Sequence, residues 1–478
     1  MVHPRTFFLA ALSLLGGCLV GPNYRRPSAP TPTAFKEAEG WSPVQPSDAA
    51  DRKDWWTVFG DATLNALEAR VAISNQTLAA AEAAYREAHA LVAIDQAQLW
   101  PTITANASAN ASGGGGATTT GTGGTGGTTG RGTRGSFQVS VGGTWAPDIW
   151  GAVRRQVRSA KAQAQASAAL VANARLSAQT ELASDYISMR LLDEQQRDQD
   201  GAIAAYTRTQ TIVQNKYAAG NAPRSDLLTA TSQLESAKAQ ALDLGQQRSR
   251  FEHAIAVLTG QPPAALSLPA GAWTMKVPEI PATIPSALLQ RRPDIANAER
   301  TAAAQSELIG VAVAAFYPNL TLTGQGGFAA PNLGQLFNLS SGFWSVGAAV
   351  AETIFNGGAR TAKVRQARAA YDQAVATYRQ TVLTAFQNVE DDLAAQRAFA
   401  AEQGHAEVAA ADAAANVQIT RNEYEAGTVD FTTVATAEVS ALQSRTALVQ
   451  IQASRLTTAV ALIEALGGGW TEADLPRS

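Results

Sequence analysis

The feature that most constrains this chain is an internal copy. Leu91–Pro101 reads LVAIDQAQLWP, and Leu308–Pro318, 217 positions later, reads LIGVAVAAFYP. Ahead of the first proline one heptad position carries Val71, Leu78, Tyr85, Val92 and Leu99. The same shift gives Leu288, Ile295, Ala302, Ile309 and Phe316. Further on, Ile149-Trp150-Gly151 recurs as Phe355-Asn356-Gly357, and Lys216-Tyr217-Ala218-Ala219-Gly220 as Glu423-Tyr424-Glu425-Ala426-Gly427. A unit of about 210 residues is therefore duplicated in tandem, a period far beyond the ~20–50 residues of solenoid repeats. The chain must hold two copies of one large supersecondary unit, related by a pseudo-rotation in a ring.

Each copy reads as helix, strand, loop, strand, long helix, turn, helix. The first helix is expected over 61–98 and is ended by Pro101. Thr102 to Asn110 then alternate polar and apolar without a break, the mark of a strand with one wet face. Phe137, Val139 and Val141 alternate with Gln138 and Ser140. In the second copy Leu320 and Leu322 are set against Thr321 and Thr323, and Trp344, Val346, Ala348 and Val350 against Ser345, Gly347 and Ala349. Gly113–Gly135 holds 12 glycines and 8 threonines in 23 residues, too little apolar area to offset its ordering entropy. It reads as a mobile exposed loop at the strand tips. A phosphate-binding loop would need a following Lys-Ser/Thr and a βαβ context, and has neither.

Helices follow over 151–217 and 358–424, each free of proline and each with one interior glycine, Gly201 or Gly404. At 1.5 Å per residue each is about 100 Å long, a length for which a soluble globular domain has no use. Val364, Ala367, Tyr371, Val375, Tyr378, Val382, Phe386, Val389 and Leu393 fall at steps of three and four. Each long helix ends at Ala-Gly, a stop signal. Return helices are expected over 226–258 and 431–466.

The strands raise a closure problem. A membrane-spanning sheet must close, and the smallest such barrels have about eight strands. This chain supplies four, so it must pool strands with other copies; three chains give twelve, enough to enclose a channel. The fold class expected is an α+β membrane protein: a trimeric twelve-stranded transmembrane β-barrel continued by a long α-helical barrel.

The N-terminus supplies the compartment. Arg5 precedes an apolar run over 7–15, too short for a mature membrane helix. Leu15-Gly16-Gly17-Cys18 then reads as a lipobox, so 1–17 is a lipoprotein signal peptide and Cys18 the acylated N-terminus. Leu19 stands where an aspartate would signal retention at the inner membrane, which favours the outer one. With one cysteine, no internal disulfide can form. A net charge of −3 gives no basic excess, so no nucleic-acid partner is expected. Beyond the signal no run of 18 apolar residues occurs.

Taken together, these segments resemble the TolC-like outer-membrane factor family, in its NodT-type lipoprotein branch. The most specific are Asp54–Asp61 (DWWTVFGD), Gln290–Ile295 (QRRPDI) with Ala298-Glu299, Ala315-Phe316-Tyr317-Pro318, and Phe251–Gly260 (FEHAIAVLTG). The resemblance spans nearly the whole mature chain. It implies an outer-membrane channel that passively conducts drugs or other small molecules from an inner-membrane pump, of the resistance-nodulation-division type, and a periplasmic adaptor. It implies a homotrimer in outer-membrane lipid, with a periplasmic helical domain, and neither cofactor nor metal. The domains expected are 18–60 (lipidated segment and equatorial region), 61–260 (first repeat), 261–285 (equatorial linker), 286–467 (second repeat) and 468–478 (equatorial tail).

The resemblance also points to a periplasmic gate at the helix turns, 217–226 and 424–436. Ser225 and Asp226 fall on a gate-linking polar pair, and Tyr424 on a gate tyrosine. Thr433 and Thr436 stand where the family often has aspartates, so the threonines or Asp226 would constrict the pore. Gly220 and Gly427 mark the tips that face the adaptor. The plainer readings are that Tyr424 packs between helices and that Asp226 serves a helix N-terminus.

Chemistry is otherwise sparse. The four histidines lack metal-ligand spacing, and no Gly-x-Ser-x-Gly is present. His253 reads as a packing residue, Glu390-Asp391-Asp392 as a solvated helix face, and Arg291-Arg292 as structural beside a helix start at Pro293-Asp294. No enzyme is expected. A lipid-anchored coiled-coil adaptor or scaffold without a pore would explain the helices but neither the four alternating segments nor the duplication.

Overall fold

The computed structural model describes residues 19–37, 54–113, 133–278 and 291–476. Cys18 and the signal region lie outside the described residues, as does 114–132 of the Gly/Thr-rich segment. In chain order the elements are α1 (Ala62–Ser74), α2 (Gln76–Ala97), β1 (Thr102–Gly113), β2 (Thr133–Trp145), α3 (Ala152–Ala218), α4 (Arg224–Leu258), α5 (Pro293–Ala314), β3 (Asn319–Ala330), β4 (Gly342–Ala351), α6 (Ala359–Glu425) and α7 (Phe431–Ala465). The duplication shows as matched lengths: α3 and α6 have 67 residues each, and α4 and α7 have 35 each.

Four expectations need correction. The helix expected over 61–98 is two helices, because Asn75 (ψ 122°) leaves the helical region. Its Oδ1 accepts from Leu78 N (2.9 Å), capping α2, while its Nδ2 donates to Leu258 O (2.8 Å) at the end of α4. A polar side chain that caps one helix and ties another holds the break open. Second, the Gly/Thr-rich segment is not loop at its ends, since the β1–β2 ladder runs out to Gly113 opposite Thr133. Third, Glu390-Asp391-Asp392 is a solvated face only at Asp391, which is exposed. Glu390 accepts from the backbone amides of Lys36 (2.8 Å) and Glu37 (2.9 Å). Asp392 is half-buried, and burial, then Asp391 and Glu464, push its carboxyl up to about 7. Fourth, His253, expected to pack, is exposed.

The chain divides into two compact units, each drawing on both repeats. One holds the strands, from Glu87–Ala164 and Thr301–Ala374, with the described residues up to Arg26. The other holds Pro27–Arg86, Gln165–Arg300 and Val375–Ser478. In the first, the four strands form an antiparallel sheet in the order β1-β2-β3-β4, so β1 and β4 each keep an unpaired edge within the chain. The register sorts the side chains by chemistry. One face carries Ile103, Ala105, Ala107 and Ala109; Phe137, Val139, Val141 and Trp145; Leu320, Leu322 and Phe328; and Trp344, Val346, Ala348 and Val350. The other carries Thr102, Thr104, Asn106 and Ser108; Gln138, Ser140 and Thr144; Thr321, Thr323 and Gln325; and Ser345. Both faces of the sheet are largely open within one chain, and large apolar side chains are among the exposed ones, Trp344 at 78% and Ile103 at 72%, as a lipid-facing wall requires. At the foot of the strands Trp150 stacks on Tyr317 (4.7 Å) and donates from Nε1 to Pro318 O (2.8 Å), while Trp145 Nε1 donates to Leu99 O (3.0 Å). Aromatic rings with a polar handle suit a membrane boundary.

The second unit has a continuous core. Leu64 and Val71 of α1, Leu182 and Ile187 of α3, and Ile255 of α4 meet Tyr378, Val382, Val389 and Leu393 of α6 and Leu456, Val460 and Ile463 of α7. The three- and four-residue steps read along α6 are what bring those residues to one side. A polar network ties helices to linker: Tyr186 donates to Asp61, Arg190 donates to Tyr186 and Asp193, and Arg248 donates to Asp193 and Glu252. α7 is long and apolar enough to cross a membrane by hydropathy alone, but many of its apolar positions, among them Val434, Leu448, Val449, Leu456, Val460 and Ile463, are buried against the chain. Glu68 of α1 is wholly buried with no hydrogen bond to either oxygen, and burial pushes its carboxyl up to about 9, so it is neutral at physiological pH.

Candidate functional site

The two helix-to-helix turns lie in the second unit, and their backbones are copies. Ala-Gly ends each long helix. Gly220 and Gly427 both take φ +77°, a left-handed conformation that glycine adopts without strain. Gly220 N donates to Tyr217 O (2.9 Å) and Asn221 N to Lys216 O (2.8 Å). Gly427 N donates to Tyr424 O (3.1 Å) and Thr428 N to Glu423 O (2.9 Å). This pair of bonds is the Schellman closure, which satisfies the last helical carbonyls. A Cβ on either glycine would meet nothing within 4 Å, so the dihedral and not crowding selects the residue. The return helices then start behind Pro223 (φ −74°, ψ 159°) and Asp430 (φ −75°, ψ 157°). Ser225, Asp226 and Thr433 consequently sit in the first turns of the return helices and Thr436 in the second turn of α7, not in the connections themselves.

Side chains break the symmetry. Tyr424 is buried at 8% exposure, whereas its counterpart Tyr217 is 40% exposed. Tyr424 packs with Phe431 (5.8 Å between rings), Val434 and Ala435 of its own hairpin and with Val213 and Ala230 of the other. Lys216 from the end of α3 places Nζ 3.8 Å from the Tyr424 ring centre and donates to Tyr424 O (3.2 Å). Burial, and secondarily Asp226, raise the Tyr424 phenol above its ordinary value. Asp226 is half-buried and accepts from Ser225 Oγ at 3.4 Å. One turn further on, Glu438 is buried and accepts from Arg421 Nη2 (2.9 Å) and Thr209 Oγ1 (3.4 Å). Gln233 Nε2 donates to Ala435 O (3.3 Å).

The structure therefore buries Tyr424 between the hairpins, keeps Asp226 within electrostatic reach of its phenol, and leaves Thr433 and Thr436 on an exposed face. The Thr436 hydroxyl donates to Thr432 O of its own helix (2.8 Å). Thr432, Thr436 and Val439 line one wall of an open cleft of about 710 Å³ whose other wall is Leu228, Thr229 and Ser232. Sequence reading missed Lys216, Arg421, Thr209 and Glu438. Glu438 alone carried a signal, a carboxylate seven residues after Phe431 on the apolar stripe of α7.

A four-stranded antiparallel sheet with one apolar and one polar face, and an edge on either side open to other copies, is what one subunit of a shared outer-membrane barrel must supply. A model of the outer membrane efflux protein family matches residues 69–261 and 284–468, and the chain belongs to that family. It is 30% identical over 462 residues to the pyoverdine export outer membrane protein OpmQ of Pseudomonas aeruginosa, covering 96% of this chain and 97% of that one. It is 28% identical over 471 residues to the toluene efflux pump outer membrane protein TtgC of Pseudomonas putida, covering 96% and 94%. Among solved structures, the outer-membrane channel OprN gives a TM-score of 0.84 at 28% identity, covering 95% of this chain and all of that one. The open state of the MtrE outer membrane channel of Neisseria gonorrhoeae gives 0.83 at 25% identity, covering 95% and 99%.

The protein is thus the outer-membrane channel of a tripartite efflux system, a trimer with a transmembrane β-barrel and a periplasmic α-helical barrel. It works with a periplasmic adaptor and an inner-membrane pump. Its family is one of channels, not enzymes. Nothing in these likenesses supports a poreless scaffold.

Proposed function

We propose that the channel is an acylated lipoprotein, held in outer-membrane lipid through Cys18 as well as by its barrel, and served by a pump of the resistance-nodulation-division type. The repeat boundaries proposed are those of the sequence, 61–260 and 286–467, with equatorial segments between and beside them. The Gly113–Gly135 segment faces the exterior. Cargo is chosen at the pump: the polar-face residues named above offer hydroxyl and amide groups suited to many solutes, and relatives are named for cargoes as unlike as pyoverdine and toluene.

The closed aperture lies at the two helix turns, with Tyr424, Asp226 and Ser225 as links, Thr433 and Thr436 on the exposed face, and the Gly220 and Gly427 tips toward the adaptor. One observation carries this reading: the Tyr424 cluster, clamped by Lys216, joins the two hairpins where each chain reverses. Helix ends have few packing neighbours and separate at lower cost than helix middles. Weakening the links raises the open population. The triple variant Lys216→Met, Tyr424→Phe, Asp226→Ala is expected to raise single-channel conductance in planar bilayers severalfold. Wild-type conductance from an intact trimer of that variant would exclude these residues as gate links.

A further inference from the structure

We propose that Arg155 is the centre of a built seat for the segment that follows the acylated cysteine, and that this seat fixes the lipid anchor at the level of the membrane boundary. The second half of the proposal rests on the acylation of Cys18 put forward above.

Arg155 lies in the first turn of α3, and its side chain is fully buried. Its Nε donates to Val20 O (2.7 Å), Nη2 to Gly21 O (3.0 Å) and Asn23 Oδ1 (3.4 Å), and Nη1 to Glu307 Oε2 of α5 (2.8 Å). A buried guanidinium must have its charge and its N–H groups matched. Here Glu307 matches the charge, and three of the four bonds go to the N-terminal segment. That segment is extended, so its carbonyls have no helix of their own to serve them.

The glycines show that the fit is shaped. Gly21 has φ +93°, and a Cβ on it would lie 2.6 Å from Gly310 Cα. A Cβ on Gly310 would lie 2.0 Å from Arg155 Cδ. Glycine in the middle of α5 weakens the helix and is explained by this close approach. Val20 N donates to Trp150 O (3.3 Å), and Tyr24 packs on Ala162, Ala303 and Ala304. Trp150 is the residue stacked on Tyr317 at the foot of the strands. Leu19, next to Cys18 in sequence, lies against Gly151, where a Cβ would come 3.1 Å from Leu19 Cδ1, so seating the strap brings the acylated end to the level of that aromatic pair. Because α3 belongs to the first repeat and α5 to the second, the seat is complete only after both have folded. The anchor is therefore registered to the barrel after folding.

The test uses the full-length lipidated trimer with Arg155→Met and Glu307→Gln together, so that neither charge is orphaned. Hydrogen exchange at Val20 is expected to speed up by about tenfold or more, with the strand amides unchanged. A fluorophore on Pro22→Cys, the native thiol being consumed by its thioether, is expected to show one shallow depth by brominated-lipid quenching in the parent and a broad spread in the variant. Unchanged exchange and unchanged depth would overturn the seat. If the double variant does not assemble, Asn23→Ala carries the test: Val20 exchange must rise, or the seat is wrong. Mass spectrometry of the mature N-terminus separates the premise, since an unacylated Cys18 removes the anchoring role while the exchange result still judges the seat.

Discussion

The two helix turns have one backbone and two fates. Their glycines share a φ of +77° and the same two closing bonds, yet Tyr217 faces solvent while Tyr424 is the buried centre of a cluster. Partners account for the difference. Tyr424 is followed seven residues later by Phe431 and lies under Lys216, whereas at the matching places Tyr217 has Arg224 and Glu423. A glycine stop and its hydrogen bonds specify a turn locally. What the turn does is specified by the side chains that the opposite hairpin presents. Duplication supplied two equal ends, and side-chain divergence gave only one of them a packed aromatic cluster.

The sharpest way to break this comparison is to truncate both tyrosines. Tyr424→Ala should lower the free energy of opening the tip, read by hydrogen exchange around Phe431, by about 3 kcal/mol, the usual cost of removing a buried aromatic. Tyr217→Ala should change it by less than about 0.5 kcal/mol. Equal effects from the two would mean that the packing asymmetry has no energetic counterpart.

The glycines test the shared half of the comparison. Gly220→Ala and Gly427→Ala should each cost about 1 kcal/mol, by forcing an L-residue into the left-handed region. The two penalties should agree, because neither site has a crowding neighbour. A markedly larger cost at one turn, in the same exchange experiment, would show that the backbones are not energetically equivalent.

The smallest effect concerns a carboxylate pair at matching positions of the long helices, Asp185 in α3 and Asp392 in α6. Burial raises both, Asp185 to about 6 with help from Glu181 and Asp392 to about 7. An acid whose folded pKa lies above its unfolded value near 3.8 adds stability at low pH and loses it as pH rises through the folded value. The loss therefore runs from about pH 4 to 6 for Asp185 and to about pH 7 for Asp392. Asp392→Asn should stabilise the protein at pH 8 by up to about 1 kcal/mol after allowance for solvent screening, and Asp185→Asn by less. Neither should do so at pH 4. Thermal melts of the trimer at the two pH values decide the matter, and a gain at pH 4 equal to that at pH 8 would refute the ionisation argument.

Much of the architecture was legible in the residues. Ala-Gly marked the ends of α3 and α6 within a residue or two, because a helix stop is local chemistry. Alternation gave the four strands, because a sheet between lipid and water must change partners at every residue. The turns were marked by their glycine stops, and the candidate residues in them came from the family resemblance. Their surroundings were not legible, since Lys216 reaches Tyr424 across more than two hundred residues of chain.

Period, composition and closure, each readable within one stretch of chain, were enough to give the repeat, the length of the two long helices, the strand faces and the need to share a barrel among copies. Folding was needed to show that Asn75 breaks a helix, that Glu390 caps the segment at Lys36, that Arg155 holds the N-terminal strap and that Tyr424 but not Tyr217 is buried. Each of these turns on a hydrogen bond or contact between residues far apart in sequence. The burial that makes such a contact count exists only once the helices have come together.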